Sequence, residues 1–178
     1  MLRLSLLAIT LLASCSSSPN RGGSGRLLVE LETERYGRVI RHSQDLTVPL
    51  VRGDGVAEFF VQVQIGTSRG WWQVDTGAAF CVVTSLIARH EGFRPTTSGQ
   101  ILTAAGEVDS ELGTLPSVRI GGLEIREVSA LVLDDNYAND FTIGGKRGHV
   151  IGILGADLLD FLGASIDLRA NVLRFRPN

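Results

Sequence analysis

Short apolar runs separated by turn-forming residues constrain this chain more than any other feature. The runs are bounded by Gly, Pro, Asn and Asp, which favour turns over long helices. The segment 57–65 is the strongest of them, because Val61, Val63 and Ile65 recur at the period of two that places side chains on one face of a strand. The pattern therefore predicts a mainly β fold built from short strands.

The remaining elements are predicted from the same apolar runs and the turn-forming residues between them. A short helix is predicted over 84–93, with Thr84 as its N-cap, and a second helix follows a strand within 150–163. Pro49 limits 45–51 to an edge strand. Further strands, turns and loops are predicted at 27–32 (a weak strand), 66–70 (turn), 71–74, 81–83, 117–120, 123–125 and 128–133 (strands), 100–108 (hairpin), 134–149 (long loop) and 164–175 (closing hairpin).

Length and charge exclude several classes of function. The chain has 178 residues, enough for one domain with an appendage. Its 17 Lys and Arg against 19 Asp and Glu give a net charge of −2, which argues against a nucleic-acid partner. The three His and two Cys residues show no metal-ligand spacing, so no metal site and no cofactor are predicted. The Gly-x-Ser-x-Gly pattern at 66–70 precedes a strand rather than a helix, which argues against a serine hydrolase.

The first residues have the pattern of a secretory signal peptide. Arg3 precedes an apolar run, 4–13, that is too short to span a membrane, and small residues lead to Cys15. The segment 12–15, Leu-Ala-Ser-Cys, resembles the bacterial lipobox. This resemblance implies removal of residues 1–14 and lipidation of Cys15. The alternative is an ordinary secretory signal with an incidental cysteine.

A lipidated Cys15 would hold the protein at a membrane of the bacterial cell envelope, on the extracytoplasmic side. Residues 15–26 then form the lipidated cysteine and a flexible linker, and residues 27–178 form the folded domain. Ser16, rather than Asp, follows the cysteine, and by the same resemblance this favours the outer membrane. Cys81 is left without an internal disulfide partner; a buried apolar side chain is the main interpretation and a reactive thiol the alternative.

An Asp-Thr-Gly sequence carries the chemistry predicted for this domain. Asp75 follows a strand that begins with two tryptophans, at a position where an unpaired carboxylate would be costly. Thr76 and the backbone N–H of Gly77 can supply hydrogen bonds to it, and the glycine allows a sharp turn. A second motif, Ile153-Leu154-Gly155, precedes the second helix. Between the two motifs lies the hairpin with a small-residue tip.

The order and spacing of these motifs resemble the retropepsin-like aspartic proteases, specifically their bacterial single-domain members. The resemblance covers about residues 46–176. It implies a closed retropepsin-like (acid protease) β-barrel with one or two short helices. The residues that it assigns are Asp75 as catalytic, Thr76, Gly77 and Ala78 as support, Leu102, Thr103, Ala104, Ala105 and Gly106 as the flap, and Ile153, Leu154 and Gly155 as the second motif.

One Asp-Thr-Gly supplies one aspartate, whereas the family's chemistry needs two. The resemblance therefore implies a homodimer that pairs the two Asp75 carboxylates, with Thr76 bonding backbone across the dimer, and a polypeptide as substrate. The alternative function is a catalytically inactive lipoprotein that binds peptide or protein without cleaving it.

Three features depart from the family's pattern. Ala79 and Ala156 replace the two partners of an ion pair found in retroviral members, and we expect backbone donors to hold Asp157 instead. Ala78 stands where the pepsin-type motif has a hydroxyl residue. The flap tip contains Ala104 and Ala105 where the family is richer in glycine.

Overall fold

A computed structural model describes residues 39–41, 46–103, 106–135, 140–143 and 145–176. The strands in chain order are β1 (Val39–Arg41), β2 (Thr47–Pro49), β3 (Val51–Arg52), β4 (Phe59–Ile65), β5 (Ser68–Val74), β6 (Val82–Thr84), β7 (Arg94–Thr103), β8 (Gly106–Ile120), β9 (Leu123–Leu133), β10 (Asp140–Ile143), β11 (Lys146–Leu154), β12 (Ser165–Asp167) and β13 (Val172–Arg174). The helices are α1 (Ser85–His90) and α2 (Ala156–Phe161). Neither of these helices is long and apolar enough to cross a bilayer.

Six strands close into a barrel. β9, β6, β11, β5, β4 and β8 pair in that order, and a long antiparallel pairing of β8 with β9 joins the two ends. Most pairs are antiparallel, but β11 runs parallel to β5 and β6 runs parallel to β9. The predicted mainly β fold, a closed barrel with one or two short helices, is confirmed.

The barrel interior is filled by the alternating side chains that the sequence indicated. Val61, Val63 and Ile65 are all buried, as predicted for one face of β4. Trp72 is fully buried, whereas its neighbour Trp71 is only half-buried, because successive side chains of a strand point to opposite faces. Apolar side chains from α2 complete this core, so the helix is fixed against the barrel.

A small second sheet brings the end of the chain back to its beginning. β13 lies between β12 and β2, and both pairings are antiparallel. Pro49 lies on the edge strand β2, where its missing N–H does not interrupt the sheet. The predicted edge strand and the predicted closing hairpin are therefore both confirmed.

Two local predictions are wrong. The predicted turn 66–70 is shorter, because Ser68–Gly70 already belong to β5 and pair with β4. The predicted long loop 134–149 contains a hairpin, in which β10 pairs with the first half of β11. Phe141 explains the hairpin, since its ring stacks on Phe60 at 3.8 Å and meets the edge of Trp71. These contacts join distant parts of the chain, which local sequence does not reveal.

The signal peptide 1–14, Cys15, the linker 15–26, the weak strand 27–32 and the flap-tip residues Ala104 and Ala105 lie outside the described residues.

Candidate active site

Asp75 lies where two parallel strands end side by side. β5 ends at Val74 and β11 ends at Leu154, and these two residues are paired in the sheet. The backbone N–H of Asp75 donates to the carbonyl oxygen of Leu154 over 3.1 Å. The structure thus brings together the Asp-Thr-Gly sequence and the second motif, which are far apart in the chain.

The two oxygens of the Asp75 carboxyl group have different surroundings. Oδ1 accepts a hydrogen bond of 2.8 Å from the backbone N–H of Gly77. Oδ2 is shielded from solvent and has no hydrogen-bond partner among the described residues. A shielded carboxyl oxygen without a donor is unfavourable on its own.

The residues after Asp75 form a tight turn in which one side chain is exposed and another is buried. The N–H of Ala78 donates to the carbonyl oxygen of Asp75 over 3.2 Å, which closes the turn. Thr76 is exposed at its surface, whereas the side chain of Ala78 is fully buried. The hydroxyl group of Thr76 is therefore available to a neighbouring molecule, and Ala78 contributes to packing.

The predicted flap is the end of a much longer hairpin formed by β7 and β8. Thr103 pairs with Gly106, and the Thr103 hydroxyl donates to the Gly106 carbonyl oxygen over 2.9 Å. Gly106 has a φ of 115°, which favours glycine at the turn. Leu102 is 53% exposed. The hairpin prediction is confirmed for the described residues, although its stem begins earlier, at Arg94, than the sequence indicated.

Apolar packing holds this hairpin against the Asp75 turn. Ile101 and Leu112, from the two strands of the hairpin, share a buried cluster with Ala78 and Ile153. Ala78 and Ile153 belong to predicted site segments, whereas Ile101 and Leu112 lie on the hairpin outside the predicted flap residues, 102–106. The structure places the flap stem, the Asp75 turn and the second motif around one centre.

Gly155 permits a close approach between the two motifs. A Cβ at this position would lie 2.4 Å from the carbonyl carbon and oxygen of Phe80, closer than nonbonded atoms tolerate. The next residue, Ala156, donates its N–H to the carbonyl oxygen of Ala78 over 2.8 Å. The glycine of the second motif is thus needed for contact with the Asp75 turn.

Asp157 is held by backbone donors, as expected from the loss of its charged neighbours. Its Oδ2 accepts from the N–H of Cys81 over 3.1 Å, and its Oδ1 accepts from the N–H of Leu158 over 2.7 Å. Cys81 is fully buried, which confirms the main interpretation of its sequence context. Its Sγ also accepts a hydrogen bond from the N–H of Gly155 over 3.4 Å.

No sequence pattern indicated this contact between Cys81 and Gly155, because only the fold brings the two residues together. In the described part of the chain, no group of three or more His, Cys, Asp or Glu side chains is arranged to hold a metal ion.

Similarity to known proteins indicates the family to which the chain belongs. A family model described as aspartyl protease matches residues 61–158, more than half of the chain. No curated protein matches the chain. A retropepsin-like aspartic protease from Rickettsia conorii is similar in structure, with 25% identity over 82% of this chain and 97% of that chain and a TM-score of 0.49. The retroviral protease-like domain of Ddi1 from Leishmania major has 18% identity over 68% of this chain and 96% of that chain, with a TM-score of 0.46.

Proposed function

Because the chain belongs to the aspartyl protease family, we propose that it is an endopeptidase whose active site is formed by Asp75 from each of two identical subunits. One observation carries the proposal: the chain has one Asp-Thr-Gly sequence, and its carboxyl group is held by the Gly77 N–H in a turn that exposes Thr76. A two-fold axis beside Thr76 would bring the same turn of a second chain, with its Asp75, next to this one.

Such a pair has the chemistry needed to hydrolyse a peptide bond. Two carboxyl groups in close contact do not both ionise, so they share one proton and titrate as a unit. The ionised group takes a proton from a water molecule held between the two. The protonated group polarises the carbonyl oxygen of the substrate while the water attacks its carbon. No covalent intermediate with the protein is formed.

The surroundings of Asp75 support a polypeptide as the substrate. The hairpin formed by β7 and β8 packs on the Asp75 turn, so a peptide that binds there would lie beneath it. An extended peptide can bind by adding main-chain hydrogen bonds to neighbouring strands. Closure of the hairpin tip would then exclude bulk water from the reacting atoms.

We also propose that the enzyme is anchored to a membrane. Its support is the segment 12–15, in which Cys15 has the position of a lipidated cysteine. Residues 16–26 contain Ser, Gly and Pro and have the composition of a flexible linker. The barrel would therefore act close to the membrane surface of the cell envelope, on peptides outside the cytoplasm.

Cleavage of a peptide library, followed by mass spectrometry, tests the proposed reaction. We compare the wild-type protein with Asp75→Asn and with Asp160→Asn, a matched change at an exposed position of α2. Cleavage by the wild type and by Asp160→Asn, but not by Asp75→Asn, is expected. Cleavage that survives Asp75→Asn would contradict the proposal, and peptide binding without any cleavage would favour the non-catalytic alternative.

A further inference from the structure

The buried residue Cys81 lies next to Gly155 of the second motif and to Asp157. Its Sγ accepts a hydrogen bond from the N–H of Gly155, and the N–H of Cys81 donates to Asp157. Burial raises the pKa of the Cys81 thiol well above its ordinary value, and the negative charge of Asp157 raises it further. The thiol therefore keeps its proton, and Sγ is a neutral acceptor for the Gly155 N–H. At this contact the backbone N–H of Cys81 donates and its Sγ accepts.

These contacts are at the far end of the segment that begins with Asp75. The start of the segment is joined to Leu154 through the Asp75 N–H, and its middle is joined to Ala156 through the Ala78 carbonyl oxygen. Cys81 supplies the attachment at the end, to Gly155 and Asp157. Residues 154–157 therefore contact the segment 75–81 at its start, its middle and its end.

The fit between the two segments leaves little freedom for movement. A Cβ on Gly155 would lie 2.4 Å from Phe80 and 2.8 Å from the backbone nitrogen of Cys81. At such a close approach, a shift of Gly155 has to move the backbone of Phe80 or Cys81. The same backbone leads directly to the turn in which the Gly77 N–H holds Asp75.

We propose that Cys81 and Asp157 are positioning residues for Asp75, which hold the segment 75–81 against Gly155 so that the carboxyl group keeps its orientation. The inference rests on the proposed function, because it concerns the reaction assigned to Asp75. The two residues do not touch substrate in this account. Cys81 acts through its Sγ, which accepts the Gly155 N–H as a purely apolar side chain could not, and Asp157 acts by accepting the backbone N–H of Cys81.

A role in packing alone makes a different prediction. If Cys81 only filled space, its removal would lower stability and leave the catalytic rate of the folded protein unchanged. If it positions Asp75, kcat falls while KM changes little, because the reacting geometry rather than peptide binding is disturbed. The change in kcat of the folded variant, compared with its loss of stability, therefore separates positioning of Asp75 from packing alone.

The test compares Cys81→Ala, which removes the Sγ acceptor of the Gly155 N–H but keeps the backbone N–H that donates to Asp157, with Cys81→Ser, which keeps a side-chain acceptor. Val118→Ala is the control, because Val118 is fully buried in the same core but lies on β8. We expect kcat of Cys81→Ala to fall about tenfold or more, with Cys81→Ser and Val118→Ala near the wild type. Wild-type kcat in folded Cys81→Ala, or an equal loss in Cys81→Ser, would overturn the proposal.

A second measurement tests the positioning role without depending on peptidase activity. Hydrogen exchange of the Gly77 amide, which donates to Asp75, needs no substrate. Faster exchange of this amide in Cys81→Ala and in Asp157→Asn, but not in Val118→Ala, supports positioning even if the wild type cleaves no peptide. Unchanged exchange in both variants contradicts positioning even if the wild type is an active peptidase.

Discussion

The backbone nitrogen of Asp75 lies 3.1 Å from the carbonyl oxygen of Leu154. This hydrogen bond continues the parallel pairing of β5 with β11 by one residue beyond the end of β5, because Leu154 is the last residue of β11. A carboxylate on a free loop could turn toward solvent, whereas this one is fixed by its own backbone to the edge of a barrel. The contact explains why two short motifs, each common by itself, form one site here.

We expect Gly155→Ala to disrupt the site by steric overlap. The new Cβ would meet the Phe80 carbonyl group at 2.4 Å, and a backbone group cannot move aside as a flexible side chain can. Overpacking of this kind lowers the free energy of unfolding by about 1–3 kcal/mol. Urea denaturation measures the loss.

The matched control for this change is Gly55→Ala, at a position where a Cβ has no atom within 4 Å and only the φ of 73° opposes substitution. Equal stability of Gly155→Ala and wild type would show that the close approach is not required.

The sequence indicated most of this site because its elements are local. The alternation in β4, the breakers around the Asp-Thr-Gly turn and the glycine of the second motif are all readable in short segments. The hairpin of β10 and β11 was not predicted, since its polar residues resemble a loop. Only the packing of Phe141 on Phe60 shows why the hairpin is ordered. The hydrogen bond from Gly155 to Cys81 was missed for the same reason, because it joins residues that are adjacent only in the fold.

Glu91 should make stability depend on pH well below neutrality. Its side chain is 6% exposed and accepts hydrogen bonds from Ser68, from His90 and from both the N–H and the hydroxyl of Thr67. Burial alone would raise its pKa, but these hydrogen bonds, led by that of the Ser68 hydroxyl, lower it from 4.5 to about 2. A depressed folded-state pKa gives a stabilisation that is fully present above about pH 4.5 and is lost as the pH falls toward 2.

Urea denaturation of wild type and Glu91→Gln between pH 2 and 7 checks this expectation. The wild type should be more stable above about pH 5, by an amount on the order of 2–3 kcal/mol. The difference between the two proteins should shrink steadily as the solution is acidified. A difference that does not vary with pH would mean that the ionised carboxylate is not what holds Thr67 and Ser68.

Thr76 is expected to matter for association rather than for folding of the single chain. It is exposed in the protomer, at the turn that carries Asp75. We expect Thr76→Ala to weaken the dimer, measured by sedimentation equilibrium, while urea denaturation at low protein concentration stays as in wild type. Thr76→Ser keeps the hydroxyl group and should retain the dimer. If Thr76→Ala associates as tightly as wild type, the hydroxyl group has no role in pairing the subunits.

Lipidation is tested by changing Cys15 alone. When the full chain is produced in a bacterium, wild type should fractionate with membranes and incorporate a labelled fatty acid, because an acyl chain partitions into the bilayer. Cys15→Ser should lose the label and appear in the soluble extracytoplasmic fraction. Cys81→Ser serves as the control and should keep the label. Labelling that persists in Cys15→Ser would refute the predicted anchor.

Mixing of subunits tests most directly that one active site is built from two Asp75 side chains. Wild type is refolded with increasing amounts of Asp75→Asn, or of Asp160→Asn as the control, at a fixed amount of wild-type chain. If each site needs Asp75 from both subunits, random pairing lowers cleavage per wild-type chain to about one half at equal amounts and to about one fifth at a fourfold excess of Asp75→Asn. Cleavage per wild-type chain that does not fall as Asp75→Asn is added would show that a single Asp75 is sufficient.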